Sequence, residues 1–148
     1  MAIFESGAIL TYLAEKLGQL LAAAGPARYM ALEWLHWTIG RLGPMLGQLM
    51  FFAIRSEEKA PLAVTRFTQE ADRLLGVLEK RLLDAPFLGG DDYSIADIAA
   101  YPWVLMATTS FGDVLTDSLA SKPALHRWLK VVGSRPAVAR GMNIPTGR

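Results

Sequence analysis

Few residues of this chain can do chemistry by themselves, and their spacing narrows the choice further. There is no cysteine, which removes thiolate catalysis, a disulfide framework and any thiolate metal site. His36 and His126 lie far apart and have no metal-spaced neighbours, so no metal is expected and each reads as an interface or surface residue. Asp91 and Asp92 sit in a glycine-bearing loop; adjacent carboxylates point apart and make poor acid/base partners. The chain carries neither a G-x-S-x-G elbow nor a phosphate loop. What stands out is Ser94 with Asp97 in YSIADIAAYPWV, the S-x-x-D spacing of a capping box. There the serine oxygen takes an amide three residues on and the aspartate reaches back, which is a structural role.

The elements that position these residues read as helices, because nearly every segment repeats at three to four residues and none alternates at two. Ser6 suits the N-cap of a helix over 7–17, with Ile9, Leu10, Leu13 and Leu17 on one stripe and Gly18 as its stop. A connector closed by Gly25-Pro26 leads into a long helix over 27–55, placing Met30, Trp34, Trp37 and Arg41 on one line. Gly43-Pro44 in its middle predicts a kink or break. A second long helix over 61–84 follows, with Phe67, Leu74, Leu75, Leu78 and Leu82 as its buried seam. After the turn-rich APFLGGDDY come a helix from Ser94 and another over 122–134, and the tail beyond Pro136 is expected to be poorly ordered. The fold class is all-α.

Composition removes whole classes of function. With 52% hydrophobic and 20% charged residues in 148, the chain is no disordered segment, and its net charge of +1 gives no general pull toward nucleic acid or acidic membranes. The last 48 residues carry six basic and two acidic groups, spread over a helix and tail without a nucleic-acid motif. The mean hydropathy of +0.26 is high, yet the most apolar stretch, 98–111, is too short to span a bilayer and contains Pro102. MAIFESGAIL has no basic start and meets Glu5 at once, so it is no secretory signal, and a soluble, cytoplasmic domain is expected. The apolar excess points to a partner domain or subunit, or to an alanine-rich core.

The succession ESGAILTYLAEKLG, EWLHWTIGRLGPMLGQ, EKRLLDAPFLGGDDYSIADIAAYPWV and LHRWLKVVGSRPAV resembles the C-terminal part of a cytosolic glutathione S-transferase. The nearest look is the bacterial branch related to the yeast Ure2-type proteins, also termed nu class. The resemblance covers nearly the whole chain, and it implies an all-α bundle of the glutathione S-transferase C-terminal type. Residues 1–25 then match the last strand end and helix of a thioredoxin-like domain plus a linker, and residues 26–148 the helical domain. It implies glutathione as co-substrate, used for conjugation or disulfide reduction with a small electrophile or a disulfide when a thioredoxin-like domain is supplied in cis or trans. The family typically forms homodimers.

The same resemblance assigns roles residue by residue. Glu5 and Ser6 match the [EQ]-S-x-A-I element that holds the γ-glutamyl end of glutathione. The free amides and positive dipole end of the helix opened by Ser6 favour a carboxylate, and Glu5 can pair with the ligand's amine. Arg66 aligns with an arginine that meets a glutathione carboxylate, or is a solvated charge paired with Glu70. Glu33 matches a polar residue that crosses the dimer interface. Tyr101, Trp103 and Met106 line the second-substrate pocket or belong to the core. No catalytic residue is assigned, since the groups that activate the sulfur lie in the family's first strand, so this chain is expected to conjugate no glutathione alone. The competing reading is a non-catalytic assembly module.

Overall fold

The computed structural model describes residues 2–144, the side chain of Asp113 excepted. Eight helices follow in order: α1 (Ser6–Leu17), α2 (Pro26–Trp37), α3 (Gly43–Met50), α4 (Pro61–Asp84), α5 (Ile95–Ser110), α6 (Gly112–Ala120), α7 (Pro123–Gly133) and α8 (Pro136–Met142). Among the described residues there is no strand, only an isolated bridge pairing Phe87 with Gly90. The all-α expectation therefore holds.

The break anticipated at Gly43-Pro44 takes a specific form. In a straight α-helix the Pro44 ring would strike the carbonyl four residues back. Instead residues Thr38–Leu42 widen into a π turn, and Gly43 N–H donates to Thr38 C=O, five residues back. A second π turn, Phe51–Arg55, ends this arm where Ser56 N–H reaches Phe51 C=O at 2.8 Å. The arm thus bends without losing its backbone bonds, as inserted π turns allow.

Helix α4 matches its expected bounds and forms the spine. Leu74, Leu75, Leu78 and Leu82 are fully buried, against Leu42, Leu46 and Leu49 of the first arm and Val104 and Trp128 of α5 and α7. Phe67 is half-buried at the rim, stacked on Phe52 with centroids 5.7 Å apart. Two buried carboxylates bind the helices together. Asp97, fully buried, accepts from Ser94 N–H at 3.0 Å, Ser94 Oγ at 3.0 Å, Leu88 N–H at 2.9 Å and Trp128 Nε1–H at 2.8 Å. Glu79 on α4 accepts from the amides of Ala124 at 3.0 Å and Leu125 at 2.8 Å, closing the N-terminus of α7 from outside its own sequence.

Two expectations, the Ser6 N-cap and the poorly ordered tail, need correction, and two features were not anticipated. Ser6 is not the N-cap of α1: Ile9 N–H bonds Glu5 C=O at 3.0 Å, so Glu5 caps and Ser6 is the first helical residue, with no side-chain cap bond. The stripe Ile9, Leu13 and Leu17 is exposed, because α1 turns Gly7 and Ala14 toward the bundle and these small residues permit a close approach. A methyl on Gly7 would overlap Ile39 Cδ1. Helix α6 was not anticipated: Phe111 stops α5, and the polar tract after it still presents Leu115 and Leu119 inward at helical spacing. The tail is ordered as α8 through Met142, with Pro136 in its first turn; Pro145 and Gly147 lie outside the described residues.

Candidate functional site

Helix α1 begins against the π turn and against α5, and a groove opens where the three meet. Its volume is about 400 Å³, and its walls are Ser6, Thr38 and Ile39, the Gly43-Pro44 and Gly47-Gln48 pairs, Ala99 and Trp103. No charged side chain lines it. Ser6 stands at the end formed by α1, whose first-turn amides carry no side-chain cap. Glu5 beside it is exposed and holds φ 69°, ψ 120°, a positive φ that a residue with a Cβ rarely adopts.

The opposite wall is set by the π turn. Because residue 43 lacks a side chain, the Trp103 indole lies on its backbone. A Cβ there would stand 3.0 Å from Trp103 Cε2 and 3.1 Å from Nε1. Thr38 Oγ1 is buried without a hydrogen-bond partner. Neither Thr38 nor Gln48 was singled out from the sequence, and Gly43-Pro44 was read only as the bend that carries them.

The residues expected to serve a site are not all brought together. Ser6 and Trp103 share the groove and Glu5 flanks it. Trp103 and Tyr101 project to different sides of α5. Tyr101 is 8% exposed, lies 6.0 Å from the Trp128 ring, and opens into another groove of about 320 Å³ with Arg135 and Val138. Met106 is half-buried on the main core. Glu33 is exposed on α2. Arg66 is 65% exposed on α4, with Nη1 3.8 Å from Glu70 Oε2. Glu70 also takes Arg73 Nε at 2.8 Å and Nη2 at 2.6 Å, and this hydrogen bonding, helped by the charges of Arg66 and Arg41, holds its carboxyl below the usual range against the opposing effect of burial. Ser94 and Asp97 form the capping box, each side chain meeting the other's backbone, and Ser94 Oγ also accepts from Ala96 N–H at 3.3 Å.

No group of three or more His, Asp or Glu could hold a metal ion among the described residues, and no helix is long and apolar enough to cross a membrane. The His36 and His126 rings each meet a backbone carbonyl, of Leu32 at 2.7 Å and Leu119 at 3.1 Å.

Comparison with known proteins places this geometry. A family model, the C-terminal domain of glutathione S-transferase, matches residues 61–130. The chain is 45% identical over 142 residues to the disulfide-bond oxidoreductase YfcG of Escherichia coli K12, covering 96% of itself and 64% of that protein. It is 31% identical over 154 residues to the glutathione S-transferase-like protein tpcF of Aspergillus fumigatus, covering 96% of itself and 68% of tpcF. A glutathione transferase of Burkholderia graminis, crystallised with two glutathione molecules per subunit, aligns over 100% of this chain and 62% of its own, with TM-score 0.93 at 41% identity. The chain thus spans a little under two-thirds of YfcG.

Proposed function

This chain belongs to the glutathione S-transferase family, and from that premise we propose that it supplies the helical half of a glutathione site, with Ser6 and Glu5 taking the γ-glutamyl end. The observation that carries this reading is the position of Ser6, at the uncapped start of α1 and in the wall of the groove it shares with Trp103. Free first-turn amides and the positive end of the helix favour a carboxylate there. The positive φ of Glu5 supports the same reading, since backbone strain persists where the surroundings impose a side-chain direction. Glu5 would pair with the ligand's amine.

Arg66, far more exposed than the Glu70 carboxylate it neighbours, is free to swing to a second glutathione carboxylate. Glu33, exposed on α2, would reach the ligand of a partner copy in a homodimer. Residues 1–25 would close a thioredoxin-like domain and residues 26–148 form the helical one. The exposed apolar face of α1, with Leu13 44% and Leu17 65% exposed, and Phe4 ahead of it at 83%, support that division, because such a surface wants a covering sheet. The name of the Escherichia coli relative favours disulfide reduction over conjugation.

Isothermal calorimetry with glutathione tests the proposal on protein carrying the thioredoxin-like domain. Binding that Ser6→Ala weakens about tenfold is expected, in line with the loss of a hydrogen bond to a charged group. Undiminished binding in that variant would remove Ser6 from the site. Absence of binding would favour the assembly-module reading, which the same exposed stripe on α1 supports.

A further inference from the structure

Gly7 follows Ser6 in the first turn of α1 and is buried, and it differs from the turn-forming glycines of the chain. Gly18, Gly25 and Gly90 hold a positive φ; Gly7 does not, so its backbone conformation would suit alanine. Inside a helix glycine is also less favourable than alanine. What the missing Cβ supplies is room. Among the described glycines Gly7 has the closest neighbour in the path of a Cβ, Ile39 Cδ1, with Ile39 Cγ1 next at 3.7 Å. Gly40, Gly47 and Gly76, which are also helical, have nothing within 4 Å of that position. Ile39 is not free to retreat. It belongs to the π turn Thr38–Leu42, which Pro44 keeps from tightening into an α-helix. Its side chain packs on the cluster of Ala14, Leu35 and Ile95 and also stands in the wall of the groove.

We infer that Gly7 is a positioning residue: by seating the first turn of α1 directly on Ile39, it sets where Ser6 and the free amides beside it stand in the groove. This rests on the reading that Ser6 takes the γ-glutamyl end of glutathione. A methyl at residue 7 leaves two outcomes. Either the first turn of α1 lifts from the π turn and carries Ser6 with it, or Ile39 Cδ1 swings into the groove. The first spoils hydrogen bonds to the carboxylate, which depend steeply on distance and angle. The second crowds the ligand. The distances also specify a remedy. Ile39→Val removes Cδ1 and keeps Cγ1, at an ordinary van der Waals separation of 3.7 Å from the added methyl. Gly7→Ala combined with Ile39→Val therefore moves one carbon across the contact at nearly constant volume, the kind of exchange that packing tolerates best.

Calorimetry with glutathione on protein carrying the thioredoxin-like domain reads the contact, with urea unfolding of each variant beside it. Gly7→Ala is expected to weaken glutathione about fivefold to tenfold, the scale of one spoiled hydrogen bond to a charged group. The Gly7→Ala/Ile39→Val pair is expected to return within about twofold of the wild type. A merely structural contact would lower stability and restore it without moving the affinity, and that result overturns the inference. So does a pair that binds as weakly as Gly7→Ala alone. Should Gly7→Ala not fold, the pair decides: recovered binding upholds the inference, and a deficit above about twofold overturns it. The premise fails separately, and the inference with it, when Ser6→Ala leaves the affinity unchanged or the wild type binds no glutathione.

Discussion

Two regions meet along α5, and they treat their polar groups in opposite ways. On the side facing α7, Asp97 collects four donors from three segments of chain, and Trp128 is fully enclosed. On the side facing α1 and the π turn, Ser6, Gln48 and Trp103 carry donors that nothing in the described chain accepts. The first arrangement is what a low-dielectric interior demands, because a half-satisfied buried network costs more than an apolar one. The second leaves its groups to solvent, since Ser6 and Gln48 are exposed. The same helix therefore holds the fold with one face, while the other lines an open groove.

The sharpest way to test the contrast is to remove the acceptor at the closed face. Asp97→Ala leaves the amides of Leu88 and Ser94 and the Trp128 indole N–H buried without partners. A loss of about 3–5 kcal/mol is expected, from several orphaned donors at about 1–3 kcal/mol each with partial relaxation. Urea unfolding followed by far-ultraviolet dichroism measures it. A loss below about 1 kcal/mol would mean that the network contributes little and that the two faces do not differ in this way.

Glu79→Ala is the next step down. It removes the acceptor for Ala124 and Leu125, and with it the closure of α7 by α4. About 2 kcal/mol should be lost, the upper range for helix caps, since the site is buried and the cap comes from a distant residue. The same unfolding experiment decides; an unchanged midpoint would show that water caps α7 equally well.

These two carboxylates also show what could be read in advance. Ser94 and Asp97 announced themselves because capping boxes are local, confined to four residues. The partner Trp128 did not, since it is 31 positions away and nothing in the local pattern joins the two. Glu79 was invisible for the same reason: inside α4 it reads as one more charged residue, and only the packing of α7 against α4 gives it a role. Helical period placed α4 well, because its seam is continuous. On α1 the period found a real stripe, but period does not tell which face meets the bundle; Gly7 and Ala14 won by allowing closer approach. In the groove, Ser6 was legible through its place in ESGAIL, while Gln48 and Gly43 needed the π turn before they could face Trp103.

The open face is tested by the reverse result. Ser6→Ala removes a hydroxyl that caps nothing, so unfolding stability should change by less than about 0.5 kcal/mol, as for exposed surface substitutions. Paired with a fall in glutathione affinity, an unchanged stability marks a residue kept for a ligand. A stability loss above about 1 kcal/mol would instead place Ser6 among the structural caps and erase the distinction between the two faces.

The smallest effect concerns acid. Asp72 takes hydrogen bonds from Ser118 Oγ and from Lys122 Nζ at 2.9 Å, and these hold its carboxyl below the usual aspartate range against the opposing effect of burial. Its folded pKa lies under its unfolded one, so its contribution to stability is complete above about pH 5 and is lost as the pH falls through the unfolded and then the folded value. Glu70, lowered first by its bond from Arg73, adds to the same slope with the same sign. The Asp72 side chain is 56% exposed, so solvent screening keeps its share small. Asp72→Asn should therefore flatten the acid limb of a stability-against-pH curve between about pH 5 and 2 without moving its neutral plateau far. Lys122, 7% exposed, would keep the Ser118 carbonyl and hydroxyl at 2.8 Å as acceptors. A large drop on the plateau instead would mean that burial makes this surface pair behave like the closed face, and the line between the two regions would have to be redrawn at α4.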